Sequence, residues 1–283
     1  MNQYLVPEPD IDGDAVFRNF MRHNLGKAAD RFGLTVVDEP AFGWRLRSIG
    51  AATDSPQGGR WLRVVSEECG WAKGNAWTGN LDANTVADIV KPRVLDLHEW
   101  SEGNWRRQRA EVMTLLSGTP CSPTDVLRAV PDVPETWWVE LRRSLDRIAL
   151  TATGRTHAGQ RRVVERIHSR FGDSVDATVT RWATVHGDLH WSNLMRPGFG
   201  ILDWELWGRG PEGMDAATLL CYSLLEPTVV ATVRALFTEV LDTPTGRVAQ
   251  LYVVARLLGR ADSGDHPDLA APLMRHAENL LNS

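Results

Sequence analysis

The segment from Val185 to Met195, "VHGDLHWSNLM", places ionisable and hydrogen-bonding side chains within a chain region that is otherwise apolar. Asp188 and Asn193 lie in it, and Asp203 follows after a turn and a short apolar run, "LMRPGFGILD". This spacing can bring an acid, an amide and a second acid together at the mouth of a β-hairpin. Phosphoryl transfer requires such a set, because a carboxylate must orient or deprotonate a hydroxyl while oxygen ligands hold Mg²⁺ against nucleotide phosphates. The alternative is a capped hairpin without chemistry.

The order and spacing of these residues resemble those of the aminoglycoside phosphotransferase-like kinases, which are relatives of the protein kinases. Their signature is His-Gly-Asp, four intervening residues and Asn, and then an aspartate in an "I-D-W/F-E" strand; "HGDLHWSN" and "ILDWE" match it here. The resemblance implies that Asp188 is the catalytic aspartate, that Asn193 and Asp203 hold magnesium, and that His186 supports the loop geometry. ATP and Mg²⁺ are the implied cofactors.

Residues on either side of the signature extend the resemblance. The segment "GPEGMDAATLL" is similar to the one in which an aspartate anchors the catalytic loop from a helix start, a role that would fall to Asp215. A simple helix N-cap is the other interpretation of Asp215. Glu205 is a further candidate for contact with magnesium or substrate, whereas His190 and Trp191 are expected to shape the loop or line the substrate cleft.

The segment "RAEVMTLLSGTP" resembles the fifth strand and hinge of the same family. There the backbone of the hinge meets the edge of the adenine ring. The positions that would take this role are Thr114, Leu115, Leu116 and Ser117.

The phosphate-binding position departs from the family pattern. The strand "RWLRVV" stands where a lysine normally meets the α- and β-phosphates, and the matching residue is Arg63. Arginine can hold phosphate with two hydrogen bonds, but its planar group is aimed differently from an ammonium. Lys91 is the alternative cation. The short helix that follows has no glutamate, so Asp82 or Asp88 would replace the usual ion-pair partner.

Hydrophobic periodicity predicts an α+β chain with a β-rich lobe followed by a helical lobe. The resemblance implies that this is the bilobal, protein-kinase-like fold. Residues 1–117 form a small N-lobe with a helix over 14–32, a five-stranded antiparallel sheet and a short helix over 80–90. Residues 118–283 form a mostly helical C-lobe that carries the catalytic loop and the acceptor site. Its helices are expected over 122–130, 135–152, 158–171, 214–241 and 245–261, with a hairpin formed by 183–188 and 200–205.

Composition limits the class of protein. The chain has 283 residues, 43% of them hydrophobic, and a formal charge of -5. Neither a signal-peptide core nor a membrane-length apolar run is visible, so a cytoplasmic location is expected. The three cysteines are widely spaced, which favours neither a disulfide scaffold nor a structural zinc site. The arginine-rich stretch 140–170 is either a docking surface for a peptide or protein partner or a solvated helix face, and a nucleic acid is not expected.

These features together predict an ATP:Mg²⁺-dependent phosphotransferase whose acceptor is a hydroxyl group. The resemblance admits an antibiotic-like natural product, or Ser/Thr in a ribosomally made peptide precursor of the lanthipeptide or thioamitide type, where a partner lyase would eliminate the phosphate. The alternatives are a pseudokinase or nucleotide-binding subunit that docks a partner enzyme, suggested by Arg63, and a metal-dependent hydrolase, which lacks a supporting His-rich pattern.

Overall fold

The computed structural model describes residues 11–282. They divide into two compact units: one comprises the chain up to residue 84 together with 92–116, and the other comprises 85–91 together with the chain from residue 117. We call them the sheet unit and the helical unit. Residues 1–10, which include the charged start of the chain, lie outside the described part. Within residues 11–282, no helix has both the length and the apolar character that crossing a bilayer requires.

The described part of the sheet unit consists of two α-helices and six antiparallel strands. Its elements are α1 (Ile11–Phe32), β1 (Thr35–Val36), β2 (Ala41–Phe42), β3 (Ser48–Asp54), β4 (Arg60–Glu68), α2 (Asn75–Asp82), β5 (Val94–Glu102) and β6 (Arg106–Thr114). The strands form one sheet in the order β1-β3-β4-β6-β5, and β2 also pairs with β3.

The two faces of this sheet differ in chemistry because side chains alternate along each strand. On one face, Leu62 and Val64 of β4 and Ala110 of β6 join Met21 and Leu25 of α1 in a buried apolar core. The opposite face of β4 carries Arg63 and Val65, and there Val65 packs with Trp77 of α2. Arg63 therefore lies on the α2 side of the sheet.

The helical unit contains ten further named elements. They are β7 (Thr119–Pro120), α3 (Glu135–Leu150), α4 (Gln160–Phe171), β8 (Trp182–Val185), β9 (Met195–Arg196), β10 (Gly208–Pro211), α5 (Met214–Tyr222), α6 (Pro227–Leu241), α7 (Pro244–Asp262) and α8 (Ala270–Leu281). β7 pairs with β9, and β8 pairs with β10. All of α5 is buried, and it packs against α6 and α7.

The sheet unit corrects two predictions. Its sheet has six strands rather than five. The additional strand is the short β2, which a 3-10 turn at Trp44–Leu46 separates from β3. The short helix covers Asn75–Asp82 rather than 80–90. The residues that suggested a helix start at Asn80 and Asp82 have other partners: Asn80 donates to Glu111, and Asp82 accepts from Thr78 one turn earlier.

The helical unit corrects three more. Residues 122–130 are not helical, because the hydroxyls of Ser122 and Thr124 both donate to the carbonyl of Val126, a local bond that competes with helix formation. The single helix predicted over 214–241 is two, since Pro227 begins α6. The predicted hairpin is also wrong, as β8 pairs with β10 instead. α8 was not predicted.

Candidate active site

The segment that carries the candidate catalytic residues joins β8 to β9. It ends in a 3-10 turn at Trp191–Asn193, after which Leu194 forms an isolated bridge with Ile201. The amide of Leu202 donates to the carbonyl of Asn193 over 2.8 Å. This hydrogen bond brings the residue before Asp203 next to the backbone of Asn193. Asp203 and Asn193 therefore lie on neighbouring segments of the chain.

His186 supports this segment from inside the protein. The side chain is fully buried, and its Nε2 lies 2.9 Å from the carbonyl oxygen of Leu202. A carbonyl only accepts, so Nε2 carries the proton and Nδ1 is left to accept from the amide of Asp188 at 3.4 Å. Burial lowers the pKa of His186 to about 4, which keeps the ring neutral near pH 7. His186 thus links the loop to the strand before Asp203.

Gly187 and Asp215 fix the backbone next to Asp188. Gly187 has a φ of 88°, and a Cβ there would meet the ring of His157 and lie 2.8 Å from the carbonyl oxygen of Leu206. The carboxylate of Asp215, in the first turn of α5, accepts from the amides of His186 at 2.6 Å and Gly187 at 2.9 Å. Burial raises the pKa of Asp215 to about 6, against the lowering effect of these two bonds. Helix α5 is therefore bonded to the backbone of the loop through the buried carboxylate of Asp215.

Asp188 lies between a histidine and an arginine. His190 Nε2 lies 3.5 Å from Oδ2, and Arg256 Nη1 of α7 lies 3.6 Å from Oδ1. Burial alone would raise the pKa of Asp188, but the hydrogen bond and charge of His190 and the charge of Arg256 hold it well below its ordinary range. The carboxylate is therefore ionised at any working pH, and it is a weak base that suits orienting a hydroxyl.

Arg256 also binds the loop backbone, since Nη1 donates to the carbonyl of Gly187 over 3.0 Å. Its Nε and Nη2 atoms are buried and have no hydrogen-bond partner among residues 11–282. The positive charge of this side chain is thus directed at Asp188 and at the peptide before it. Sequence reasoning missed Arg256, because nothing in the pattern of α7 distinguishes it from other helix arginines.

His190 joins Asp188 to a second polar group. Its Nε2 lies 3.7 Å from Oδ1 of Asp125, and Arg260 of α7 donates to Oδ2 of the same carboxylate over 2.8 Å. Burial opposes the charged ring, yet the hydrogen bond to Asp188 and the charges of Asp188 and Asp125 raise the pKa of His190. His190 is thus a neighbour that stabilises ionised Asp188.

Asn193 is used on one side only. Its Nδ2 donates to the carbonyl of Asp188 over 3.0 Å and lies 3.1 Å from Nε2 of His190. No residue in the described part of the chain donates to its Oδ1. An amide oxygen without a protein partner beside carboxylates suits a hard cation such as Mg²⁺, which takes oxygen ligands and keeps several waters.

Asp203 has an unusual backbone conformation, with a φ of 55°. This left-handed conformation is uncommon for a residue with a side chain and points to a local constraint. The next residue is held in place: Trp204 is buried, and its Nε1 donates to the carbonyl of Ile201 over 2.9 Å.

Two further candidate residues, Lys91 and Glu205, lie in the helical unit. The Nζ atom of Lys91 is 5.7 Å from the centre of the Trp204 ring. Glu205 is buried, and its carbonyl accepts from Arg155.

The sheet unit holds the residues predicted to bind nucleotide. Arg63 forms an ion pair with Glu111 of β6 at 3.5 Å, a partner that the sequence analysis did not consider. Asp88, one of the two carboxylates expected there, instead binds Arg147 within the helical unit at 2.8 Å. Cross-strand register created the Arg63–Glu111 pair, and register was not visible in the sequence.

The hinge positions follow β6. Thr114 is its last residue, and the Thr114 hydroxyl accepts from the amide of Arg93 over 2.9 Å. Leu115 is 42% exposed, and the sheet unit ends at Leu116, one residue before Ser117. Leu115 and Leu116 have no regular secondary structure, and Ser117 lies in a bend.

The arginine-rich stretch is largely paired within the helical unit. Arg142 binds Asp146 and Glu239, and Arg170 binds Asp262. Arg155 is buried and donates to two carbonyls, whereas Arg166 lies over the ring of Tyr252. Several arginines of the stretch are thus paired within the helical unit, whereas the side chain of Arg161 is 92% exposed.

Comparison with known proteins was made for both sequence and fold. No curated protein matches the sequence. Among solved structures, a thermostable mutant of aminoglycoside phosphotransferase APH(4)-Ia in its apo form has a TM-score of 0.60 at 14% identity, covering 91% of this chain and 98% of its own. The amicoumacin kinase hAmiN, solved with AMP-PNP, Ca²⁺ and its ligand Ami, has a TM-score of 0.57 at 12% identity, covering 92% of each chain.

A third structure, spectinomycin phosphotransferase APH(9)-Ia with ADP and spectinomycin, has a TM-score of 0.51 at 11% identity and covers 84% of this chain and 83% of its own. At these identities the likeness concerns the fold, which is the α+β, kinase-like arrangement predicted from the sequence. The model of the phosphotransferase enzyme family, APH, matches residues 75–252, and these contain the loop, Asp203 and Asp215. With well over half of its length matched, the chain belongs to the phosphotransferase enzyme family.

Proposed function

We propose that this phosphotransferase uses ATP and Mg²⁺ to move the γ-phosphoryl group onto a hydroxyl of an antibiotic-like natural product. One observation carries the proposal. Both Nδ2 contacts of Asn193 go to the Asp188–His190 loop, so that its oxygen remains available beside an ionised Asp188. The hairpin bond from Leu202 to Asn193 brings the approach to Asp203 to the same place.

Asp188 would orient the acceptor. Because its pKa lies below the ordinary range, the carboxylate accepts a hydrogen bond from the attacking hydroxyl rather than removing its proton early. His190 and Arg256 lie beside the Asp188 carboxylate and lower its pKa. Asn193 and Asp203 would hold Mg²⁺, which supplies charge neutralisation of the phosphates. Positioning and electrostatics then provide most of the rate enhancement.

The sheet unit would supply the nucleotide contacts. Arg63 is the proposed phosphate-binding cation, since its guanidinium stays charged and can bind two phosphate oxygens. The backbone over residues 114–117 is the proposed adenine contact. Lys91, which lies beside Trp204 in the helical unit, is the alternative cation. Because ATP is the donor, we expect the enzyme to act in the cytoplasm.

The acceptor class is supported by the neighbours of this fold. Structures of the similar proteins contain hygromycin B, spectinomycin and the amicoumacin ligand, all small molecules. A peptide precursor with a partner lyase would need a docking surface, and three arginines of its candidate, residues 140–170, contact other groups of the helical unit: Arg142, Arg166 and Arg170. A small molecule is therefore the acceptor we propose.

The test is an acceptor screen with matched enzyme variants. The purified chain is incubated with ATP and MgCl₂ together with hygromycin B, spectinomycin or amicoumacin, and ADP release and the mass gain of one phosphoryl group are measured. We expect one such acceptor to be phosphorylated by the native chain and not by Asp188→Asn, while both proteins bind AMP-PNP. Tight AMP-PNP binding without transfer to small molecules, or to serine-containing peptides, would favour the nucleotide-binding subunit instead.

A further inference from the structure

The face of the sheet that α2 covers carries a row of alternating charges. β4 and β6 are in register with Arg63 opposite Glu111, and β5 and β6 are in register with Glu99 opposite Arg109. Glu111 and Arg109 are two residues apart on β6, so they share this face. Ion pairs connect the four side chains in the order Arg63, Glu111, Arg109, Glu99.

Glu111 is the central acceptor of this row. Its side chain is 2% exposed, and donors from three elements surround it. Asn80 Nδ2 of α2 donates over 2.8 Å, Arg109 Nε over 2.9 Å, and Arg63 Nη1 over 3.5 Å. A carboxylate this deep remains charged only when it is paired and hydrogen-bonded, and these donors meet that need.

The three contacts are unequal in length, which separates their roles. The two short bonds, from Asn80 and Arg109, hold Glu111 in place. The longer contact places the Arg63 guanidinium beside a fixed negative charge, and the Arg63 side chain is 13% exposed. A cation that must meet phosphates needs such an anchor, because a free arginine side chain loses rotamer entropy when it binds.

We propose that Glu111 is the positioning residue that holds Arg63 for the phosphates of ATP. The sequence predicted an ion-pair partner for Arg63 at Asp82 or Asp88, and the structure adds a carboxylate on the neighbouring strand, which Asn80 of α2 also binds. This inference rests on the phosphate role given to Arg63 in the proposed function. It follows that losing the Glu111 charge should weaken binding of phosphates and spare binding of the nucleoside.

The experiment measures nucleotide affinity of the full chain by isothermal titration calorimetry, with no acceptor present. AMP-PNP with MgCl₂ probes the phosphates, and adenosine probes the base and ribose. For Glu111→Gln we expect AMP-PNP affinity to fall about tenfold and adenosine affinity to change less than about twofold, the size of effect typical of one charged contact. The matched control is Glu102→Gln, which removes a sheet-unit carboxylate that pairs with Lys27 at 3.1 Å, and both affinities should then stay unchanged.

A rescue variant separates positioning from a general structural role. Asn80 lies one hydrogen bond from Glu111, so Asn80→Asp in the Glu111→Gln background returns a carboxylate to the same cluster from the helix side. We expect AMP-PNP affinity to recover by severalfold in the double variant. If Glu111→Gln fails to fold, Glu111→Asp keeps the buried charge but shortens its reach, and its AMP-PNP affinity should be lowered selectively.

The outcomes distinguish this inference from the function on which it rests. Equal losses for AMP-PNP and adenosine, or unchanged AMP-PNP affinity in a folded Glu111→Gln or Glu111→Asp chain, would overturn the role of Glu111 while leaving nucleotide binding intact. If the native chain bound neither probe, the proposed nucleotide use itself would fall, whatever the variants did.

Discussion

The helical unit and the sheet unit assemble their candidate functional groups by different means. In the helical unit, His186, Asp188 and Asn193 lie within one short segment, and the local backbone conformation orients their side chains. In the sheet unit, Arg63 and Glu111 are far apart in sequence and meet because β4 and β6 are in register. The first arrangement is written in neighbouring residues, whereas the second exists only once the sheet has formed.

This difference has a physical consequence for how each region tolerates change. The segment from His186 to Asn193 depends on the positive φ of Gly187. It also depends on the buried carboxylate of Asp215, which accepts hydrogen bonds from the amides of His186 and Gly187. A substitution there moves the backbone. The charged row depends on pairing between side chains, so that a substitution changes electrostatics before it changes geometry. The predictions below test that contrast.

The largest expected effect belongs to Asp188→Asn. Loss of the carboxylate that orients the hydroxyl should lower kcat with a phosphorylated acceptor by about 10³-fold, within the range for a group acting directly on a transferring proton. AMP-PNP affinity should stay within about twofold, because the substitution is isosteric. Turnover comparable to that of the native chain would remove Asp188 from the mechanism.

Arg256→Met should lower kcat by about tenfold to a hundredfold with little change in the KM for ATP. The reason is positional, since Arg256 binds the Gly187 carbonyl and faces Asp188, and small displacements of a catalytic group carry costs of this order. Arg256→Lys should recover part of the loss. Steady-state kinetics at saturating ATP provide the measurement.

The matched control for Arg256 is Arg166→Met, which removes another arginine that contacts α7, lying 5.7 Å over the ring of Tyr252. Equal kcat losses in the two variants would mean that both report a general loosening of the unit. The role of Arg256 requires a loss confined to its own variants.

Gly187→Ala should reduce the free energy of unfolding by about 2 kcal/mol, since a strained backbone and a close contact with the Leu206 carbonyl are imposed together. Urea unfolding followed by tryptophan fluorescence measures this. Gly154→Ala is the control, because a Cβ there meets nothing within 4 Å. Similar stabilities for the two variants would contradict the constraint described for Gly187.

Acid should destabilise the chain through buried histidines, and His276→Gln should weaken that response. Burial, followed by the charge of Arg234, lowers the pKa of His276 from 6.5 to about 4. The unfolded state therefore binds more protons between these values, and stability that is fully present above pH 6.5 is lost as the pH falls towards 4. Between pH 7.5 and 5.5 the native chain should lose about 1 kcal/mol more than His276→Gln.

Glutamine can keep the hydrogen bond to Gln250 that His276 makes at 3.1 Å, so the two proteins are comparable near neutral pH. Urea unfolding at both pH values provides the measurement. Parallel losses in the two proteins would show that His276 does not titrate differently on unfolding.

The sequence predicted most reliably what lies close together along the chain. The spacing of Asp188, Asn193 and Asp203 predicted the class of protein, which the family assignment confirms, although the strands expected to pair there do not. The individual roles of the three residues remain predictions. The α+β architecture was also predicted, because alternation in the first part and helical periodicity in the second are local properties.

Long-range partners were beyond such reasoning. Glu111 became the partner of Arg63 through register, and Arg256 reached Asp188 through the packing of α7. The matched family segment ends at residue 252 and begins at residue 75, so it includes neither arginine. The helix expected over 122–130 does not form for a local reason. The hydroxyls of Ser122 and Thr124 both donate to the carbonyl of Val126, and these bonds compete with helix formation.

The one-sided bonding of Asn193 explains why a carboxamide, rather than a second acid, stands at this position. An amide is asymmetric: its nitrogen donates to the carbonyl of Asp188, while its oxygen accepts from no residue in the described part of the chain. An aspartate would present two identical acceptors, lose that tether and repel the carboxylate five residues earlier. The loop therefore tolerates high negative charge at Asp188 because its nearest companion contributes oxygen without charge.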